Sequence, residues 1–265
     1  MFEIINDHIK NISTILTLTK TDLIRNYYGS LMGWLWAILK PAFKIFIYYF
    51  MLAIGLKISK DMFGYPYFLW LISGMIPWFY INDMLSQGSA SIRKYSYLVT
   101  KMKFPLSAIP TFTSMSRFIV HIFLILITIF IFFLSGYNLD IYMLQLPIYM
   151  FLLFTFFTIL NHLLSLLSSV SKDFQNMISS LVFAIFSLSG VIWDPAFIDN
   201  HVLSFLLRLN PVTFLVNGYR NCFIKKIWFW EDSFSLIAFI VELLLCTILS
   251  IICYKKFKKL IPDLL

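Results

Sequence analysis

No charged residue falls between Arg117 and Asp140, and the stretch between them reads FIVHIFLILITIFIFFLSGYNL. A run of that kind fits a lipid bilayer, whose hydrocarbon is about 30 Å thick and is crossed by a helix of about 20 apolar residues. Hydropathy marks six such stretches, at residues 31–57, 65–83, 107–135, 141–168, 177–193 and 234–254. Composition agrees: 60% of the 265 residues are hydrophobic, 13% are charged and the mean hydropathy is +0.84, whereas soluble domains carry about 25% charged residues. The expectation is an all-α integral membrane protein, one domain over 1–265, with six transmembrane helices and both termini on one side.

Orientation follows from the basic residues. With the N-terminus in the cytoplasm, 14 of the 21 Lys and Arg lie inside, among them Lys40, Lys44, Arg93, Lys94, Lys101 and Lys103. Lys57, Lys60, Arg208, Arg220, Lys225 and Lys226 lie outside, and Arg117 is left in the third stretch, as the positive-inside rule prefers. The net charge of +8 therefore reflects topology, and no soluble basic face remains for nucleic acid. The first twenty residues lack the basic start and cleavage site of a secretory signal. Cys222, Cys246 and Cys253 have no CxxC spacing, and His8, His121, His162 and His201 lack ligand spacing, so neither a disulfide framework nor a metal site is expected.

Residues 1–29 place Ile5, Ile9, Ile12, Ile15, Leu16 and Leu23 at roughly helical spacing, with Asp7, Lys10, Lys20 and Asp22 between them. Both an amphipathic helix in the membrane interface and a helix packed on the bundle fit this pattern. It leads into YYGSLMGWLWAILKPAFK, where Lys40 and Lys44, one turn apart, reach headgroups or a wet cavity and Pro41 is expected to break the helix. Residues 84–106 are basic and closed by Phe104-Pro105, which suits a short cytoplasmic helix offered to a partner or a solvated loop. Residues 194–233 are hydrophobic but interrupted by Pro195, Asn210-Pro211 and Gly218. They suggest an extracellular re-entrant helix pair, with a packed cap as the other reading.

The chain has no GxxxxGK[ST] loop, no Gly-rich dinucleotide turn and no HExxH, and its apolar stretches leave no room for a nucleotide domain. Ionisable groups at depth are Arg117, His121, His162 and Glu242, and a carboxylate such as Glu242 is the expected partner for Arg117 and His121. No nucleophile or metal set accompanies them, so a structural role is favoured.

Four ordered motifs carry a resemblance. Arg25-Asn26-Tyr27-Tyr28-Gly29-Ser30-Leu31-Met32-Gly33-Trp34-Leu35-Trp36 with Lys40-Pro41, Gly74-Met75-Ile76-Pro77-Trp78, Lys103-Phe104-Pro105 with Ile109-Pro110, and Asn210-Pro211 with Gly218-Tyr219-Arg220 follow one another along the chain. This set resembles type 2 ABC exporter permeases for lipid-linked polysaccharides. Two places depart: Ser171-Lys172-Asp173-Phe174 stands where the family often has F-R-D, and Ser189-Gly190 where it has a proline. The segments NPVTFLVNGYRNCF and WDP are most similar to teichoic acid exporters of Gram-positive bacteria, with O-antigen and capsule exporters next.

The resemblance implies a homodimer in the bacterial cytoplasmic membrane, bound to two cytoplasmic ABC ATPase subunits that hold ATP and Mg, with no cofactor in this chain. It implies outward movement of an undecaprenyl-diphosphate-linked glycan, with residues 84–106, including Arg93, Lys94, Lys101 and Lys103, as the ATPase coupling loop. Arg25, Lys40 and Lys44 suit a diphosphate, and Tyr27, Tyr28, Trp34, Trp36, Tyr48, Tyr49, Trp78 and Tyr80 suit a path along which sugars slide on aromatic faces. At the outer end Asn210, Pro211, Tyr219 and Arg220 belong to the re-entrant pair. Arg220 and Lys225 either meet emerging phosphates or cap helix ends. The rivals are a drug or small-lipid ABC permease and a membrane-embedded lipid-linked glycan transferase.

Overall fold

The computed structural model describes residues 2–57, 61–102, 104–138 and 140–264. Lys60 and Lys103 lie outside the described residues. In chain order the helices are α1 (Phe2–Lys10), α2 (Ile12–Arg25), α3 (Trp36–Tyr49), α4 (Tyr67–Asp83), α5 (Ser91–Lys94), α6 (Ser96–Thr100), α7 (Ala108–Leu134), α8 (Leu146–Val170), α9 (Lys172–Leu188), α10 (His201–Leu209), α11 (Pro211–Arg220), α12 (Ser233–Phe257) and α13 (Ile261–Leu264).

Helices stand at all six apolar stretches, and among the described residues four are long and apolar enough to cross a membrane: Gly33–Gly55, Ala108–Leu134, Ile141–Val170 and Ser233–Phe257. The other two, α4 and α9, have 17 residues each. That is about 26 Å of rise, just short of the hydrocarbon thickness. A π-type turn, Met84–Gly88, extends α4.

α4 is the centre of the bundle. From Leu69 to Ile81 every side chain is buried, and α3, α7 and α11 pack against it. α8 packs on α7, α11 and α12. Outward faces are apolar, as Phe43 and Phe46 on α3, Phe130 and Phe133 on α7, and Leu244 and Ile248 on α12 show. Such faces need no polar neighbour, because lipid chains are as apolar as leucine.

Two local features differ from the sequence reading. Pro41 does not break a helix, since α3 runs through it from Trp36 to Tyr49. A proline there takes a partner only from the Ala37 carbonyl, whereas a broken helix would strand several backbone groups in an apolar setting. The loop after α3 also contains a two-residue hairpin, β1 (Asp61–Met62) with β2 (Tyr65–Pro66), turned by Phe63 and Gly64 at positive φ and held by Tyr65 stacked on Tyr137 at 4.4 Å.

Of the two readings of the N-terminal pair, packing on the bundle is the one observed. α2 packs on α7 with Ile15, Thr19, Asp22 and Leu23 buried, while Ile5, Ile9, Ile12, Leu16 and Ile24 stay exposed as an apolar outer face. Further along, residues 194–233 form α10 and α11, separated at Asn210, whose side chain accepts from Val212 N at 2.9 Å. Pro211 opens α11 at the position where its missing N–H costs nothing.

Candidate functional site

α3 carries Trp36, Lys40, Lys44 and Tyr48 at intervals of four, so one slowly drifting stripe of the helix presents two cationic groups flanked by two aromatic ones. The stripe faces a polar cavity of about 430 Å³ enclosed by the end of α2, α3, the end of α4 and α7. Asn26 and Tyr27 come from α2's end, Trp36, Lys40 and Lys44 from α3, Asn82 and Asp83 from α4, Gln87 from the π-type turn and Arg117 from α7. A second cavity of about 430 Å³ adjoins it, shares Lys44, Phe79 and Asn82, and adds Tyr48 and Trp78. The two make a groove running along α3.

Charge in the first cavity is unbalanced. Lys40, Lys44 and Arg117 face a single carboxylate, Asp83. Neither lysine is in an ion pair among the described residues; Lys40 Nζ lies 5.8 Å from the Trp36 ring centre and Lys44 Nζ 5.9 Å from that of Phe79. Arg117 is held by neutral oxygens: its Nη2 donates to Gln87 Oε1 at 2.6 Å and to Asn26 Oδ1 at 3.1 Å. A guanidinium has five donors, so this grip orients Arg117 without spending its capacity for an anion. Excess positive charge in a part-desolvated pocket attracts phosphate-like groups.

The other expected residues fall into three groups. Arg25 is exposed at the end of α2 and lines no part of this cavity, so its place beside Lys40 and Lys44 is taken by Arg117. Tyr28 is 85% exposed, the Trp34 ring lies tilted against that of Tyr27 at 5.3 Å, and Tyr49 packs against Tyr67 and Phe68 over an apolar recess. Tyr80, 2% exposed between Phe118 and His121, is core and lines none of these cavities.

The expected partnership of Glu242 with Arg117 and His121 does not form. His121 Nε2 meets the Tyr219 hydroxyl at 2.7 Å, and His162 Nε2 meets Thr111 Oγ1 at 3.0 Å, which in turn lies 2.7 Å from His8 Nε2. In the 84–106 segment, Arg93 donates to the Ser169 carbonyl at 3.2 Å, Lys94 pairs with Asp22 at 3.1 Å, and Lys101 is exposed.

At the far end, Arg220 is fully buried. It donates to the carbonyls of Gly190 and Val191, each at 2.6 Å, and lies 3.6 Å over the Trp70 ring. Both bonds hold the chain leaving α9. Gly74 makes room for the guanidinium: a Cβ there would sit 2.5 Å from Arg220 Nη2. Lys225 is paired with Asp194 at 2.9 Å. Among the described residues no group of three or more His, Cys, Asp or Glu gathers to hold a metal ion.

Sequence comparison places this architecture. The profile of the family described as ABC-2 type transporter matches residues 13–224. The chain is 24% identical over 213 residues to an O-antigen export system permease protein RfbA of Myxococcus xanthus, covering 79% of each. It is 23% identical over 254 residues to the protein of the same name from Klebsiella pneumoniae, covering 95% of this chain and 94% of that one. The chain is a multi-pass membrane transport subunit and belongs to the ABC-2 type transporter family.

Proposed function

We propose that this chain is the permease of an ATP-driven polysaccharide exporter, and that its cargo is a glycan on an undecaprenyl-diphosphate carrier. The observation that carries this reading is the cavity where Lys40, Lys44 and Arg117 outnumber Asp83 beside Trp36 and Tyr27. A diphosphate takes the cations through charge-assisted hydrogen bonds, and the first sugars lie against the aromatic rings. The groove toward Tyr48 and Trp78 continues that surface along α3.

In this reading six helices cross the bacterial cytoplasmic membrane, α4 and α9 included, both termini are cytoplasmic, and α10 with α11 forms the re-entrant pair. Two copies form the channel, and two ABC ATPase subunits bind ATP and Mg below the 84–106 segment. The names of the relatives favour an O-antigen type of glycan over the teichoic acid that the motifs near Asn210 and Trp193 suggest.

Depleting the protein in its host and extracting undecaprenyl-linked glycans tests the proposal. Finished polymer accumulating on the cytoplasmic face is the expected result, and its composition, plain sugar or polyol phosphate, identifies the cargo. Accumulation of an unextended precursor, or of nothing, overturns the polysaccharide cargo and leaves a drug or small-lipid permease.

A further inference from the structure

The end of the molecule that carries the N-terminal helices has an apolar cluster of its own. Ile15 of α2, Ile92 of α5, Tyr95, Leu98 of α6, Phe112 of α7 and Leu166 of α8 form it, separate from the core around α4. Apolar contacts hold such elements together without fixing how they slide, because the hydrophobic effect is non-directional. Fixing the register takes directional bonds.

Asp22 supplies them. It is 2% exposed, and burying a carboxylate is costly unless donors surround it. Its Oδ1 accepts from Lys94 Nζ at 3.1 Å and from the Tyr95 hydroxyl, and its Oδ2 accepts from the Ser116 hydroxyl. One carboxylate thus joins α2 to the α5–α6 segment and to α7. The contact continues inward. Asn26 Nδ2 donates to the Asp22 carbonyl at 2.6 Å and to Oδ2 at 3.3 Å, and the same amide offers Oδ1 to Arg117 in the cavity. Burial pushes the Asp22 carboxyl up, but the Ser116 and Tyr95 hydroxyls with the charges of Lys94 and Arg117 outweigh it and hold it below its ordinary value. Asp22 is therefore ionised at neutral pH, the state in which these bonds are strongest.

We propose that Asp22 is a positioning residue that locks the Ser91–Thr100 segment, α2 and α7 into one moving body, so that displacement of that segment reaches Asn26 and Arg117 at the cavity. The inference rests on the reading of residues 84–106 as the face offered to the ATPase. It assigns the link between that face and the cavity to one side chain.

The test uses the full permease with its ATPase in proteoliposomes and a short undecaprenyl-diphosphate-linked oligosaccharide as cargo. With Asp22→Ala, ATP hydrolysis stays within about two-fold of the unmodified complex while export falls at least about ten-fold, the effect of losing a charge-assisted hydrogen bond. The ATP used per glycan exported therefore rises, which loss of folded protein alone does not produce. Asp22→Asn keeps an acceptor for the hydroxyls and restores part of the export. Tyr95→Phe and Ser116→Ala each remove one donor while Lys94 still pairs the carboxylate, and they uncouple in part, so the idea stays testable if Asp22→Ala does not fold.

A second measurement needs no cargo. Spin labels at the exposed positions Leu16 and Tyr97 report the spacing of α2 and α6. That spacing is the same without nucleotide and with ATP trapped in the unmodified complex, and becomes ATP-dependent in Asp22→Ala. Hydrolysis and export falling in proportion, or a spacing that changes with ATP in the unmodified complex, overturns the proposal. An unmodified complex that moves no glycan, yet shows the expected spacings, overturns the cargo reading and leaves the lock standing.

Discussion

The two ends of the molecule treat charge in opposite ways. At the α2 end, Lys40 and Lys44 point into a cavity with Arg117 and have no ion-pair partner among the described residues. At the α10–α11 end lies a smaller cavity of about 210 Å³ in which each lining cation is matched, Arg208 by Asp232 at 2.6 Å and Lys225 by Asp194 at 2.9 Å, and just beyond it Lys226 pairs with Asp140 at 2.8 Å. The comparison separates charges that hold the protein together from charges kept available. Matched pairs lower the demand for an external partner. Unmatched ones raise it.

The sharpest way to break the comparison is to remove a charge from the self-satisfied end. Arg220→Met leaves the Gly190 and Val191 carbonyls without donors in a fully buried site and loses the contact with Trp70. The expected cost is on the order of 3 kcal/mol, read as a lower unfolding temperature and a smaller monodisperse fraction in detergent. Gly74→Ala pushes on the same guanidinium and on the Val191 carbonyl, which a Cβ would approach to 2.9 Å. Overpacking there costs about 1–3 kcal/mol. In both variants export falls only as far as the amount of folded protein does.

The open end behaves the other way. Lys40→Gln and Lys44→Gln alter exposed side chains, so stability changes by about 0.5 kcal/mol or less. On the proposed function each removes a charge-assisted bond to the cargo worth about 1.5–3 kcal/mol, so the expected loss is about ten-fold or more in export or in binding of an undecaprenyl-diphosphate carrier. Arg117→Gln has the same effect on binding and also frees Asn26 and Gln87. Equal losses of stability and export in the lysine variants would erase the distinction between the two ends.

Much of this was legible in the chain. Six apolar stretches announced the helices, and the one-turn spacing of Lys40 and Lys44 put both on one face of a helix, because both signals are local; that Trp36 and Tyr48 extend the same stripe emerged only with α3 in place. Arg117 was placed in the right helix but not in the site, since Asn26 and Gln87, which hold it there, are 91 and 30 residues away. Asp22 read as one polar residue among several, since only its burial against Ser116, 94 residues on, sets it apart from Asp7. For Arg220 the sequence left two roles open, meeting emerging phosphates or capping a helix end, because nothing local shows that Gly74 leaves space for it. Pro41 misled because its local rule was sound and the surroundings overrode it: little backbone is stranded if the helix continues, and more if it stops.

The smallest expected effect concerns pH and salt at the matched end. The hydrogen bond from Lys226 holds Asp140 below the usual carboxylate range, and the same bond raises Lys226. Burial pushes Asp232 up, but bonds from Ser235 and Arg208 prevail and leave it lowered. For the lowered carboxylates, the stabilising contribution is complete above the unfolded value of about 4 and is lost as pH falls through the lower folded value. For Lys226 it is complete below about 10.4 and is lost as pH rises through the higher folded value. Thermal stability should therefore be flat from about pH 5 to pH 9 as far as these groups decide it. Arg208→Gln should cost less than about 1 kcal/mol, since both partners are half-exposed. Raising salt from about 0.1 M to about 1 M, which shortens the screening length from about 10 Å to about 3 Å, should likewise barely move the unfolding temperature. The same change should weaken binding of the diphosphate carrier at Lys40 and Lys44, because exposed charges without a built-in partner depend on attraction across solvent. Stability that fell with salt as steeply as binding did would mean that the pairs at the α10–α11 end are carrying the fold and not merely completing it.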